Sequence, residues 1–367
     1  MPYTSDVESI LILIHKLDDT FGGPVSVFKG STLALQKYFR IKVIQFSRNS
    51  NSDEVVSTHK TIGRNIYSFP LNPWKLRYQI RSGHDLILIH GFYYGYVLFA
   101  LLFCTQKIII LPHGSLEEYQ QKKNKYLKYI YHKLFSLLVK MRKINITFYC
   151  TSISEKIGIS QLFSTCRIIQ VDLGVEEEFL STPVPIPNIH SELNVISLSR
   201  IAYKKRIDLA IDAVNYCVKS NFSRKIIFRI FGDGSQFLKK SLSLKISEFN
   251  LNDQVFFSGF LSSAFDRIKA LDQSDVFILL SDNENYAVAV AESVSRCKPV
   301  IISNFVGISR FIETNKLGIV LPNRDAAEVA KALIEINQNY EYYVTQCKSN
   351  RMKLSWETTI LSWIENF

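Results

Sequence analysis

Two kinds of stretch alternate along this chain. Short apolar runs lie at Ile10–Ile14, Lys42–Phe46, Leu86–His90, Ile108–Pro112 and Phe148–Thr151. They return at Asn194–Leu198, Ile226–Ile230, Val276–Leu280 and Val300–Ser303. Runs of roughly five residues, rich in Ile, Val and Phe and poor in charge, predict strands covered on both faces, as in a parallel sheet. Between them, Val27–Phe39, Tyr119–Val139, Arg206–Lys219 and Ala287–Arg296 predict helices. Strand–helix alternation predicts an α/β fold of doubly wound, Rossmann-like sheets, and the pattern runs twice.

The segment Ser181–Asn188 holds three prolines, cannot be a helix, and reads as a linker. We therefore expect a Rossmann-like domain over 1–180, a linker over 181–191, a second Rossmann-like domain over 192–350 and a terminal helix over 351–367. In that helix Trp356, Ile360, Trp363 and Phe367 share one face, a stripe suited to core or interdomain packing.

Composition narrows the class. With 367 residues and 47% hydrophobic content the chain is long and apolar enough for two cores, which excludes a disordered state. The longest apolar stretch, Phe92–Cys104, falls short of the roughly 20 residues a membrane span needs. Ser5, Asp6 and Glu8 precede the first apolar run, so no signal peptide is expected. None of the six cysteines stands in a CxxC or Cys/His cluster. Buried thiols in a reducing cytosol are therefore expected, and no metal site.

The net charge of +11 is uneven: residues 1–180 carry 22 basic and 14 acidic side chains, and residues 181–367 carry 22 and 19. The excess is dense over Glu117–Lys143, where eight Lys and Arg interleave with Tyr119, Tyr126, Tyr129, Tyr131 and Phe135. A basic, aromatic amphipathic helix suits an anionic bilayer surface; a docked helix with a solvated basic face is the plainer alternative. No nucleic-acid recognition motif is present, and no nucleic-acid partner is expected.

Candidate chemistry sits where strands end. Phe21-Gly22-Gly23-Pro24 precedes a helix, where glycines let backbone N–H groups approach a phosphate; an ordinary turn reads the same. His113-Gly114 and His90-Gly91 both close strands of the first half, and the sequence does not rank them. Arg200, Lys204, Lys205 and Arg206 crowd one loop, a set suited to a diphosphate or simply to water. Phe231-Gly232-Asp233-Gly234 permits a sharp turn or a close ligand approach. Glu284 lies in a loop ahead of a helix that contains Glu292. The N–H groups of Ala287 and Val288 would favour an anion there, and a carboxylate beside them can accept sugar hydroxyls.

In this order, Arg200 with Lys205, Gly232-Asp-Gly234, Ser258-Gly-Phe260 and Glu284 through Pro299 resemble the GT-B glycosyltransferases of the retaining family 4 type. The resemblance covers nearly the whole chain. It implies two Rossmann-like domains facing a cleft, with the C-terminal helix crossing back to the first. It implies transfer of a sugar from a UDP- or GDP-sugar with retention, without a metal or other cofactor. Carried over, Arg200, Lys205, Gly22 and Gly23 would hold the diphosphate. Glu284, Asn285, Tyr286, Ala287, Val288 and Gly232 would line the donor site, with Glu292 on the ribose. His113 and Glu284 would be the catalytic side chains.

The setting implied is bacterial surface polysaccharide, such as O-antigen or capsule, with a saccharide acceptor on a polyprenyl-type lipid. The protein would be cytoplasmic, held to the inner membrane face through the 117–143 helix. Three positions depart from the family pattern. Lys205-Arg206 stands where the family usually has Lys-Gly, Tyr286-Ala287 where it has Phe-Gly, and Asp172-Leu-Gly174 where it has Asn-Gly. A nucleotide-sugar epimerase or isomerase of the same fold, or a non-catalytic sugar-nucleotide binder, are the alternatives.

Overall fold

The computed structural model describes residues 7–17, 23–46, 66–68, 73–81, 83–185, 191–220 and 222–367. The chain divides into two units, Met1–Gly174 with Trp356–Phe367, and Val175–Ser355.

In the first unit the described strands are β1 (Ser9–Ile14), β2 (Arg40–Gln45), β3 (Ile66–Ser68), β4 (Leu86–His90), β5 (Lys107–Leu111), β6 (Ile146–Cys150) and β7 (Arg167–Gln170). They form one parallel sheet in the order β3-β2-β1-β4-β5-β6-β7. β1 is buried along its length, because helices cover both faces of a parallel sheet. The second unit repeats the plan with β8 (Glu192–Leu198), β9 (Lys225–Phe231), β10 (Val255–Phe257), β11 (Val276–Leu279), β12 (Val300–Ser303) and β13 (Gly318–Leu321). Its order is β10-β9-β8-β11-β12-β13, again all parallel. Strand order reverses at β1/β4 and at β8/β11. Chains leaving the carboxyl ends there turn to opposite faces and open a crevice, which is where such sheets bind ligands.

The terminal helix Trp356–Ile364 belongs to the first unit. Trp363 is fully buried, packs edge-on against Tyr149, accepts that phenol's O–H at its carbonyl (2.9 Å) and donates its indole N–H to the Asp172 carbonyl (3.2 Å). Trp356 needs bare backbone beneath it. A Cβ on Gly30 would come within 1.8 Å of its indole nitrogen, and one on Gly174 within 2.6 Å of its backbone nitrogen.

Three boundaries differ from expectation. The first unit ends at Gly174, ahead of the proline-rich segment. Residues 175–183 stay with the second unit because the buried Arg296 guanidinium donates to the carbonyls of Phe179 (3.2 Å), Thr182 (2.6 Å) and Pro183 (2.7 Å) while pairing with Asp272 (2.8 Å). At the other end, the N–H of Val175 donates to the Leu354 carbonyl (2.9 Å), so the terminal helix begins at Trp356 rather than 351. The expected Tyr119–Val139 helix is two pieces, Glu118–Gln121 and Lys125–Arg142, parted at Asn124 with φ 55°.

Replacing Trp363 with alanine removes a fully buried ring and should destabilise the first unit by about 3–5 kcal/mol. Urea unfolding followed by hydrogen exchange checks this: protection should fall in β1, β4, β5 and β6 and stay unchanged in β8, β9, β11 and β12.

Candidate functional site

In the second unit the loops beyond β8 and β9 lie backbone on backbone. Ser199 N–H donates to the Phe231 carbonyl (3.0 Å) and Ile201 N–H to that of Asp233 (2.8 Å). A Cβ on Gly232 (φ 150°) would come within 1.8 Å of the Ser199 oxygen, and one on Gly234 within 2.1 Å of the Ile201 oxygen. The close approach at Gly232 is thus to the neighbouring loop.

Lys205, in the single turn Tyr203–Lys205 after β8, is buried and forms an ion pair with Glu284, from the loop after β11. Burial pulls the Lys205 ammonium below its ordinary range, Glu284 opposes that shift, and the charges of Lys204 and Arg200 add to it. Glu284 is fixed at both ends of its residue. Its N–H donates to the Phe305 carbonyl (3.1 Å), and its own carbonyl accepts from Gly307 N–H (3.0 Å). Asp282 N–H donates to the Lys204 carbonyl (2.7 Å), which ties the two loops together. Arg206 grips Asp208 through two nitrogens and lies 3.6 Å from Asp282. Arg324 pairs with Asp282 and stacks over the Phe305 ring at 4.4 Å. Arg200 is exposed at the start of the loop.

Arg206 (φ 51°, ψ 42°) and Ala287 (φ 71°, ψ 71°) are both left-handed. These are the two positions where the resemblance implies glycine, so the backbone has a glycine's conformation with an L side chain in its place. Each costs about 1–2 kcal/mol. Ala287 caps the helix Val288–Ser295. Tyr286 is buried, and its carbonyl accepts from Ile308 N–H at 3.3 Å; Asn285 and Val288 are half-buried.

Glu292 is held elsewhere. It is buried 3.2 Å from Arg267, which also pairs with Glu176 at 3.0 Å. Burial, opposed by Arg267 and aided by the Glu176 charge, pushes its carboxyl up to about 7. Nothing in the sequence marks Arg267 or Glu176, because neither stands in a motif.

In the first unit the structure pairs the two histidines that the sequence left unranked. His90 Nδ1 lies 3.0 Å from His113 Nε2, with the rings stacked 5.2 Å apart. Burial holds both imidazoles neutral: His113 falls to about 4, and His90, also facing His113, falls well below its ordinary value. Glu155, which no motif marks, accepts from Gly114 N–H at 2.5 Å. Gly22 lies outside the described residues; Gly23 opens the helix Gly23–Leu35. No helix among the described residues is long and apolar enough to cross a membrane.

Residues 185–352 match the family described as Glycosyl transferases group 1. This stretch of the second unit is a group 1 glycosyltransferase domain. WcaL of Escherichia coli K12, assigned by name to colanic acid biosynthesis, is 30% identical over 191 residues, half of this chain and 43% of that protein. The amylovoran biosynthesis glycosyltransferase AmsK of Erwinia amylovora is 28% identical over 192 residues, half of this chain and 46% of AmsK. The chain thus matches less than half the length of these curated relatives. Solved structures extend the likeness over the whole chain at the level of fold. A glycosyltransferase from Rickettsia africae aligns over 99% of this chain and 97% of its own, at 16% identity and TM-score 0.74. Staphylococcus aureus TarM, solved with UDP, aligns over 98% and 99% at 15% identity and TM-score 0.71. The fold is GT-B.

Within the group 1 domain Glu292 sets a sign for pH dependence. Its carboxyl titrates near 7 when folded, against an ordinary value of 4.5. The folded chain therefore keeps a proton that the unfolded chain has released, and stability falls as pH rises from 4.5 through 7. In Glu292→Gln that slope should flatten. Urea midpoints of the domain between pH 4.5 and 8 measure it, and an unchanged slope contradicts the assignment.

Proposed function

We propose that this chain is a glycosyltransferase of bacterial surface polysaccharide synthesis. It moves a sugar from a nucleotide-diphosphate sugar to a saccharide acceptor, with retention at the anomeric carbon. The observation that carries the reading is the buried Lys205–Glu284 pair at the β8/β11 switch point of the group 1 domain, with Arg200 beside it. A buried ammonium requires an anion. In the free protein Glu284 supplies it. An incoming diphosphate takes that place, Lys205 acting as a point charge and Arg200 as a fork. Glu284 is then released to accept hydroxyls of the transferred sugar. Two cations meeting the leaving diphosphate supply the charge a metal would otherwise supply, so we place no metal in the reaction. His113, neutral and at a strand end of the first unit, donates a hydrogen bond to a saccharide hydroxyl. The solved neighbours include TarM with UDP and HepE of Anabaena with UDP-glucose, which supports a nucleotide-sugar donor.

The acceptor we propose is lipid-linked, and the first unit has a face for a membrane. The helix Lys125–Arg142 has no acidic residue and turns Phe135 and Leu138 inward. Tyr126, Leu127, Ile130, Leu137 and Met141 stand exposed among its lysines. The helix Gly95–Phe103 packs beside it and the helix Pro73–Arg81 beside that one, extending the exposed apolar set with Leu102, Tyr78 and Trp74. Cations around an aromatic, apolar face suit the headgroup region of an anionic leaflet. We infer from this face that the chain works at the inner face of the cytoplasmic membrane.

Calorimetric titration with UDP, GDP and their sugar conjugates, with and without EDTA, tests the donor site. One nucleotide should bind with micromolar affinity, unaffected by EDTA, and Arg200→Ala should weaken it tenfold or more; no binding by any of them refutes the reading. Sedimentation with vesicles tests the membrane face. The protein should pellet with phosphatidylglycerol-containing vesicles at low salt and be released by about 0.5 M salt, whose Debye length is only a few ångströms. Absence of pelleting contradicts the membrane assignment.

A further inference from the structure

One buried carboxyl in the first unit has no part in the proposed chemistry. Glu155 lies in the first turn of the helix Ile153–Leu162 and has no exposed surface. Its two oxygens accept the N–H groups of Gly114 (2.5 Å) and Thr151 (3.4 Å). Its own N–H donates to Ser152 Oγ (3.1 Å), and that hydroxyl donates to the buried Glu117 (3.3 Å). One turn on, Gly158 brings the helix so close that a Cβ there would lie 2.0 Å from the Leu116 carbonyl oxygen. The strand-end loop 113–117 and the helix are thus locked together around one carboxyl.

The bond to Gly114 lands on a strained spot. His113 (φ 55°) and Gly114 (φ 80°) are consecutive left-handed residues, and His113 has no glycine's freedom. Fixing the direction of the Gly114 N–H fixes ψ of His113, and with it the line along which the imidazole leaves the backbone. The ring is held at its far end by His90. His90 Nε2 is buried without a partner. An orphaned N–H is rarer in a protein interior than an orphaned acceptor, so we assign the His90 proton to Nδ1. His90 then donates to His113 Nε2, and the proton of His113 is on Nδ1. That nitrogen donates to no described residue.

We propose that Glu155 and His90 are positioning residues for His113: Glu155 orients its backbone, His90 selects its tautomer, and together they present Nδ1–H as a donor to a neutral hydroxyl. Burial, which keeps His113 neutral down to about pH 4, agrees with this. The hydroxyl as target rests on the function proposed above; the placement of the ring does not.

The test is long-range proton–nitrogen NMR of the full chain labelled at histidine, without substrate, from pH 5 to 8. In the unaltered protein His113 should show one tautomer, protonated at Nδ1, and no titration. Glu155→Gln keeps a neutral acceptor and should leave that signature unchanged. Glu155→Ala should give a mixture of tautomers titrating within the range, and Glu155→Asp, too short to reach Gly114, should do the same if the alanine variant does not fold. His90→Phe should remove the acceptor signature at Nε2 and leave the Glu155 effects in place. An unchanged His113 in the Asp, Ala and Phe variants overturns the proposal, as does a Gln variant as disturbed as the Ala variant. In sugar-nucleotide turnover, Glu155→Ala should lower kcat ten- to hundredfold with KM for the donor within threefold. If the unaltered protein turns over no sugar nucleotide while the NMR pattern holds, the proposed function fails and the positioning stands.

Discussion

A lysine ammonium buried at the carboxyl ends of two neighbouring parallel strands is the constraint on which the second unit turns. Lys205 is about nine-tenths buried, and such a cation persists only beside an anion. Glu284 meets that need, but it reaches Lys205 only because two loops are tied together elsewhere. Asp282 N–H is bound to the Lys204 carbonyl, and Glu284 itself is bound on both sides to the segment Phe305–Gly307. The glycines at 232 and 234 let the β9 loop lie against the β8 loop that carries the lysine. The result is a buried cation held in place beside its anion, and on the function proposed above a diphosphate takes that anion's place.

Of the eight left-handed residues other than glycine among the described residues, three lie in the loops beyond these strand ends. His113, Arg206 and Ala287 are left-handed without being glycine, and each has an identifiable restraint. Glu155 holds the peptide after His113, Asp208 grips the Arg206 guanidinium, and the helix that follows Ala287 is buried along Val290–Ser295. Strain of this kind survives only where the surroundings over-determine it, and it clusters where ligands are handled. In both sheets it lies at loops next to the switch point, which is the fold's own preference for a site.

Much of this was legible in the sequence. Nine apolar runs mark the interior strands, because a strand covered on both faces must be apolar throughout. The four strands that the pattern missed, β3, β7, β10 and β13, are the edges of the two sheets. Edge strands are short and partly exposed; β7 reads Arg-Ile-Ile-Gln with both ends in solvent. The break at Asn124 and the end of the first unit at Gly174 were also missed. The second is decided by Arg296, more than a hundred residues away along the chain. At the site, motif order and strand position put Lys205 and Glu284 in one donor site by resemblance, while the ion pair between them came only with the structure. The Arg267 clamp on Glu292, the histidine pair and Glu155 did not, because they join residues from separate loops with no local signature.

On the function proposed above, Lys205 exchanges Glu284 for a phosphate of the donor. Comparing UDP with UMP, and GDP with GMP, in the unaltered protein and in Lys205→Met measures that exchange most directly. The diphosphate should bind at least tenfold tighter than the monophosphate in the unaltered protein, and that ratio should shrink severalfold in Lys205→Met, where Arg200 alone remains to meet the second phosphate, while the variant still binds the monophosphate. A ratio unchanged by the loss of Lys205 would overturn the exchange.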